Sequence, residues 1–502
     1  MKPLQIGWAR RDLSTTDPVL LLGQSYLRIS QGIHDPILSN CLVLDGDPDS
    51  LIFLSVDAVA VGASTTEAVQ AKVRRLNPAV PAQSIVMNCT HTHSGPPLRA
   101  TEFTTGDKPE DEMPVLLEVA DTQAYFEWAT DRMAEAVCEA WENRAPGGIA
   151  FGYGYAAVGN SRRVRYRKSP ERKSAKPSET YHLNGLAEMY GKTDRPEFDR
   201  YEAGTETFAN FLYTFDAEKK LTGMLACIPC PSQCSENVSV LTASFWHEVR
   251  MLLAEKYGDI YLLPSCAPAG DLAPRVLHYK EAQKRRFALK FGGEETIKDE
   301  YNRRDIAERI FGALEEVLSW AKNDIRTEIK LLHGVRDIEL SRWKITPEEY
   351  DAAKAGLQAC REEGYVDTGD KAADFKENSR SLSNRKRFLS IIKAFEDQEA
   401  RPKLPMELHT VRVGDIAFAF NPFELYMDYG HQIAARSPFI QTFLIQLAGQ
   451  PQRCKSASGY LCTEQGREGK GYSAILYSCH ISPEGGRELV EETLQALQEI
   501  AD

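Results

Sequence analysis

Ser84-Ile85-Val86-Met87-Asn88-Cys89-Thr90-His91-Thr92-His93-Ser94-Gly95-Pro96 is the stretch from which the rest of the chain can be read. Its first six residues form an apolar, β-rich run of strand length, and Ser94-Gly95-Pro96 supplies a tight turn. If the strand continues through to Ser94, His91 and His93, two residues apart, point to the same side. Two imidazoles at a strand end can share a metal or divide into ligand and proton donor. Such a pair alone does not make a metal site, but strand ends are where α/β proteins place their sites.

Outward from this stretch, comparable runs at residues 51–56, 221–228 and 260–263 read as strands. Between them Phe126, Ala129, Met133, Ala136, Val137, Ala140 and Trp141 recur at helical steps and define one apolar face. The alternation predicts an α/β fold. From 279 to 399 the texture changes to charged helices, including 306–321 and 347–362, around a strand at 329–340, and reads as an inserted or peripheral helical layer within a single domain spanning 1–502. A strand at 407–420, a helix at 423–435, a β run at 441–448 and an amphipathic helix at 484–500 follow. No repeat or low-complexity segment is evident.

With 502 residues, 42% hydrophobic and 26% charged, the chain can bury a sizeable core and is unlike a disordered one. A net charge of −12 argues against nucleic acid as a partner, because phosphate backbones need a basic face. The basic run Arg162, Arg163, Arg165, Arg167, Lys168, Arg172, Lys173 and Lys176 reads mainly as a solvated loop. The N-terminus lacks a signal-like apolar segment and no run reaches membrane-spanning length, so a cytoplasmic protein with no membrane partner is expected. Eleven cysteines without dense spacing fit reduced thiols.

Thr90 to Pro96 resembles the signature of the neutral/alkaline ceramidase family, and further segments follow in that family's order. Gln31-Gly32-Ile33-His34 resembles its early Gly-Ile/Leu-His element, and Phe53-Leu54-Ser55-Val56-Asp57 its strand ending in Asp. Gly270-Asp271-Leu272-Ala273-Pro274 is similar to the GDVSP motif, Pro422-Phe423-Glu424 to PGE, and Gly459-Tyr460-Leu461-Cys462-Thr463 to GYxTT; Tyr472 matches the next active-site tyrosine. The resemblance implies a mixed-sheet α/β catalytic domain and a zinc cofactor. His91, Glu424 and Tyr460 would be ligands, and His93, Tyr472 and either Arg162 or Arg163 would contact the scissile amide. Family members usually continue into an immunoglobulin-like domain, and no such domain is expected here.

Two departures alter the expected chemistry. Where the family carries a second histidine ligand, this chain has Ile228-Pro229-Cys230-Pro231-Ser232-Gln233. Cys230 could bind zinc as a thiolate, His247 could supply the missing imidazole, or Cys230 could be an unligated core residue. The family's essential serine is Ala273, whose methyl neither attacks nor donates a hydrogen bond. Asp271 either orients a ligand or stabilises its turn, and His34 either lines the site or bonds its loop. Glu424, Asp428 and His431 fall on one face of the expected helix, and Gly466, Gly469 and Gly471 read as a flexible loop and candidate lid.

Three functions follow as expectations. The first is a zinc-dependent hydrolase of a small polar amide, distinct from ceramide. The second is a metal-dependent lyase or isomerase on a sugar-like compound, and the third a small-molecule-binding protein that has lost the metal.

Overall fold

A computed structural model describes residues 2–170 and 185–502. The residues that choose the substrate are expected from 178–201 and from the helical segment 279–399; Arg172, Lys173, Lys176, His182 and the start of 178–201 lie outside the described residues.

Two sheets pack face to face with helices outside them. The larger has nine strands. Eight run in the order Tyr261–Cys266, Leu221–Ile228, Thr205–Asp216, Ala145–Ser161, Gln5–Asp12, Leu38–Asp45, Ser50–Val56 and Ile85–Cys89, and Leu272–Ala273 adds to Ala145–Ser161. The terminal pairs are parallel and the others antiparallel. Each parallel pair is a strand–helix–strand unit, bridged by helix Ala63–Leu76 or helix Phe245–Tyr257. The smaller sheet runs Gln441–Ile445, Ile416–Phe420, Lys403–Val413, Lys330–Ser341 and Asp47–Pro48, and its parallel pair of Ile416–Phe420 with Gln441–Ile445 is bridged by helix Met427–Arg436. The expected strand at 407–420 is thus two strands joined by a turn.

The inner faces meet in one apolar layer that includes Leu42, Phe53, Leu212, Leu225, Phe418, Phe420 and Phe443. Phe53 meets Phe418 and Phe420 edge-on, with centroids 6.5 and 5.2 Å away. Each such buried ring contributes about 1.5–3 kcal/mol. The carboxyl ends of the parallel strands are brought together, since Gln446 N–H donates to Cys266 O (3.0 Å) and Gly449 N–H to Met87 O (2.9 Å). That convergence builds the site.

Residues 279–399 divide rather than forming one peripheral layer. Helix Glu300–Ala321 packs into the core against the large sheet, Lys330–Ser341 joins the small sheet, and helices Pro347–Glu363 and Lys371–Asp397 pack on each other. Strand Ala145–Ser161 carries no hydrophobic alternation because its glycines meet that core helix: a Cβ on Gly152 would lie 2.3 Å from Trp320. All eleven cysteines are free and buried. Among the described residues, no helix is long and apolar enough to cross a membrane.

Candidate active site

Strand Ile85–Cys89 ends before the histidines, contrary to the expected continuation to Ser94. Thr90 turns the chain by donating its hydroxyl to Asp57 (3.1 Å), at the end of the neighbouring strand. His91 then takes a left-handed conformation, φ 60°. The two imidazoles converge through this turn, not through strand alternation, with centroids 4.9 Å apart and planes at 75°.

Glu424 arrives from the small sheet's side. The helix expected at 423–435 begins only at Met427; Phe423–Leu425 is instead a short strand paired in parallel with Gly459–Leu461, which sets Glu424 opposite Tyr460. The expected face shared with Asp428 and His431 therefore does not exist, and His431 pairs with Glu206 instead. Gly270 allows the close approach: a Cβ there would lie 2.2 Å from Glu424 O.

These groups line a cavity of about 840 Å³ that includes His91, His93, Arg162, Glu424, Tyr460 and Tyr472. His91 Nδ1 lies 2.6 Å from Val59 O, and donation there fixes the tautomer that leaves the Nε2 lone pair free. Nε2 is 3.3 Å from Glu424 Oε2. Burial pushes the Glu424 carboxyl up, but His91, the Arg162 guanidinium and a bond from Tyr460 outweigh it and hold it below its ordinary value. Arg162 is buried, donates Nη2 to Gly270 O (2.7 Å), lies 4.0 Å from Glu424 Oε2 and faces the Tyr460 and Tyr472 rings at 5.0 and 5.9 Å. Arg163 points the other way. It pairs with Glu202 and donates to the carbonyls of Lys470 and Tyr472, both at 2.6 Å, holding the segment that carries Tyr472.

His93 lies between Glu236, 3.4 Å from Nδ1, and the Gln233 amide, 2.9 Å from Nε2. Burial drives its pKa down to about 4, so the ring is neutral near pH 7. Glu236 is pushed up by burial, but its bond with His93 and the charge of Arg275 bring it to about 2. Gln233, Glu236, Tyr190 and Arg275 escaped the sequence reading, although the first two stand within six residues of Cys230.

Several expected participants lie elsewhere. Cys230 faces the core beside helix Phe245–Tyr257, its Sγ 3.5 Å from Val158 O, and burial raises its thiol well above the ordinary range. It does not line the cavity, because Pro231 turns the chain so that Gln233 reaches His93 instead. His247 sits on that helix, away from the cavity, beside the buried Arg303 pair with Asp35 and Glu248. Exposed His34 bonds Leu241 O through its backbone. Asp271 accepts from Met427 N (3.1 Å) at the start of helix Met427–Arg436, and burial raises it to about 6. Ala273 is a buried strand residue opposite Asn160. The expected lid is a short helix, Glu464–Gly469, capped by the Thr463 side chain and tied down through Arg163.

The donors can be tested against zinc by their geometry. Two ligands of a tetrahedral zinc with bonds of about 2.0–2.1 Å stand roughly 3.3 Å apart. The His91–Glu424 separation matches that edge, and Tyr460 adds a third oxygen. Among the described residues no three His, Cys, Asp or Glu side chains converge as a metal-binding group. His91 and Glu424 are thus spaced as two zinc ligands would be, with Tyr460 bonded to Glu424 beside them and Cys230 outside the cavity.

Two solved structures share this architecture. A neutral ceramidase from Pseudomonas aeruginosa superposes with a TM-score of 0.64 at 17% identity, over 99% of this chain and 75% of that one. A ceramidase complexed with C2 gives 0.62 at 16% identity with the same coverages. The chain has a neutral-ceramidase-like fold. No family model matches the sequence, and no curated protein matches it.

Proposed function

We propose that this protein is a zinc-dependent hydrolase of small polar amides. The observation that carries the proposal is the 3.3 Å approach of His91 Nε2 to Glu424 Oε2 in a cavity that also presents Arg162, Tyr460 and Tyr472. His91, Glu424 and Tyr460 are the residues that would hold the ion, which when bound supplies Lewis acidity to a water or a carbonyl.

The chain's own groups account for the rest. Tyr472 donates its hydroxyl to the oxygen that gains charge when the amide carbon becomes tetrahedral, and Arg162 adds a fixed positive charge beside it. Arg162 also faces the anionic product. His93 serves as a positioning group: with Gln233 on one nitrogen and Glu236 beside the other, it holds the cavity wall and does not itself transfer a proton. Four arginines, four amides and two carboxylates make up half of the described residues lining the cavity, beside four tyrosines, so the polar groups of a small amide find partners there. Eleven buried free thiols suit a reducing compartment such as the cytoplasm.

Elemental analysis of the purified chain tests the proposal. About one zinc per chain is expected, retained in Cys230→Ala and lost in His91→Ala and Glu424→Ala. With an amide substrate, oxygen-18 from water must enter the acid product, as neither a lyase nor an isomerase requires. Absence of zinc in the wild type, with Glu424→Ala leaving turnover intact, would refute it.

A further inference from the structure

Helix Lys371–Asp397 sends three side chains into the cavity, Arg380, Asn384 and Arg387. They are four and three residues apart, one turn each, and share a face. The Arg387 guanidinium donates to Asn384 Oδ1 (3.3 Å) and lies 4.7 Å from the Tyr477 ring centroid. Asn384 is buried and Arg387 half-buried, so the group is held in the wall.

Among the described residues the charges of this wall do not balance. Arg275 pairs with Glu236, Arg162 faces Glu424, and Arg380 pairs with Glu377 of its own helix. Arg387 has no carboxylate within ion-pair distance among the described residues. A partly desolvated cation without a counter-charge is costly, and an entering anion offsets that cost through charge-assisted bonds that a planar guanidinium forms well.

The position of Arg387 decides which part of a ligand it meets. The Tyr477 ring beside it lies 6.5 Å from that of Tyr472, which in turn lies 5.9 Å from Arg162. Two tyrosine rings thus separate Arg387 from the groups around the amide.

We propose that Arg387, with Asn384 and Arg380, binds a carboxylate or phosphate at the end of the substrate remote from the cleaved bond, so that the substrates are acidic amides. The reaction in this statement rests on the amide-hydrolase reading, whereas the anion site does not. The residues come from a segment without any motif shared with the ceramidase signature, and a neutral lipid amide has no group to place there.

Calorimetric titration of the full chain with inorganic phosphate tests the site without any turnover. Wild type and the exposed control Arg436→Met should bind alike, and Arg387→Met at least tenfold more weakly. If Arg387→Met does not fold, by circular dichroism, Arg387→Lys and Arg380→Met carry the test, each weakening phosphate at least threefold. Unchanged phosphate binding in the folded variants would overturn the proposal.

A second arm follows acetate release from N-acetylglutamate and from N-acetylglutamine amide, in which both carboxyl groups are replaced by uncharged amides. Arg387→Met should raise KM at least tenfold for the acid only, with kcat within twofold. Equal effects on both amides would overturn the assignment of the substrate's anion to Arg387. No turnover of either amide alongside Arg387-dependent phosphate binding would refute the hydrolase reading and uphold the anion site.

Discussion

Gly270→Ala should disable the site with one methyl placed outside the cavity. The added Cβ would lie 2.2 Å from Glu424 O and 2.7 Å from Glu424 C, both backbone atoms that cannot rotate away. Reaching 3.0 Å, the closest approach real Cβ atoms make, requires Glu424 and Gly270 to part by 0.8 Å. Overpacking of this kind costs about 1–3 kcal/mol of stability. The displacement is transmitted to Glu424 and, through Gly270 O, to Arg162, and a misplacement of about 1 Å costs roughly 100-fold in rate. Gly312→Ala, in helix Glu300–Ala321 with open space around its Cβ, is the control and should be neutral or stabilising by about 0.5–1 kcal/mol. The assay is kcat/KM on an acidic amide with zinc content and thermal unfolding for each variant. A Gly270→Ala protein with wild-type kcat/KM, zinc and unfolding temperature would refute the claim that this contact sets the position of Glu424.

Arg303→Met should destabilise by about 3–5 kcal/mol, read from denaturant unfolding, because Asp35 and Glu248, each 2.8 Å from Nη2, would lose their counter-charge; the double variant with Asp35→Asn should recover part of the loss. His333, 2.9 Å from His409, is pushed by burial to about 3. With the folded pKa below the unfolded one, its contribution is full above about pH 6.5 and falls by roughly 1.4 kcal/mol per pH unit as the pH drops toward 3. His333→Asn should flatten the acid limb of a stability–pH curve by that slope, and an unchanged slope would contradict it. None of the eleven thiols should react with a thiol reagent in the native protein and all eleven should react in denaturant; rapid native labelling would contradict their burial.

The strands were legible because apolar β-rich runs are local: those at Ser50–Val56, Ile85–Cys89 and Leu221–Ile228 begin and end within a residue of expectation, whereas the bridging helices Ala63–Leu76 and Phe245–Tyr257 were not read. Strand Ala145–Ser161 was not, since its glycines answer to a helix more than 150 residues away. The helix expected at 423–435 overran Phe423–Leu425 because the parallel pairing that makes this a strand is supplied by Gly459–Leu461, which local propensity does not register. His91, Glu424, Tyr460, Tyr472 and Arg162, named from the resemblance, all line one cavity. Gln233, Glu236 and Arg275 were missed, and Arg380, Asn384 and Arg387 come from the helical segment expected to shape the pocket but were not named, for none of them has a motif of its own.

The sequence by itself determined the α/β class, the buried strand that leads into the histidine pair and the residue types able to hold zinc, because each follows from local periodicity or from the side chain's own chemistry. Only the tertiary structure decided that Cys230 turns to the core while Gln233 reaches His93, that Arg162 faces the cavity while Arg163 braces the loop behind it, and that a charged helix forms the cavity's outer wall. Neighbours in sequence with similar chemistry are separated by which side of a turn meets the core, and that is fixed by packing between segments far apart in the chain.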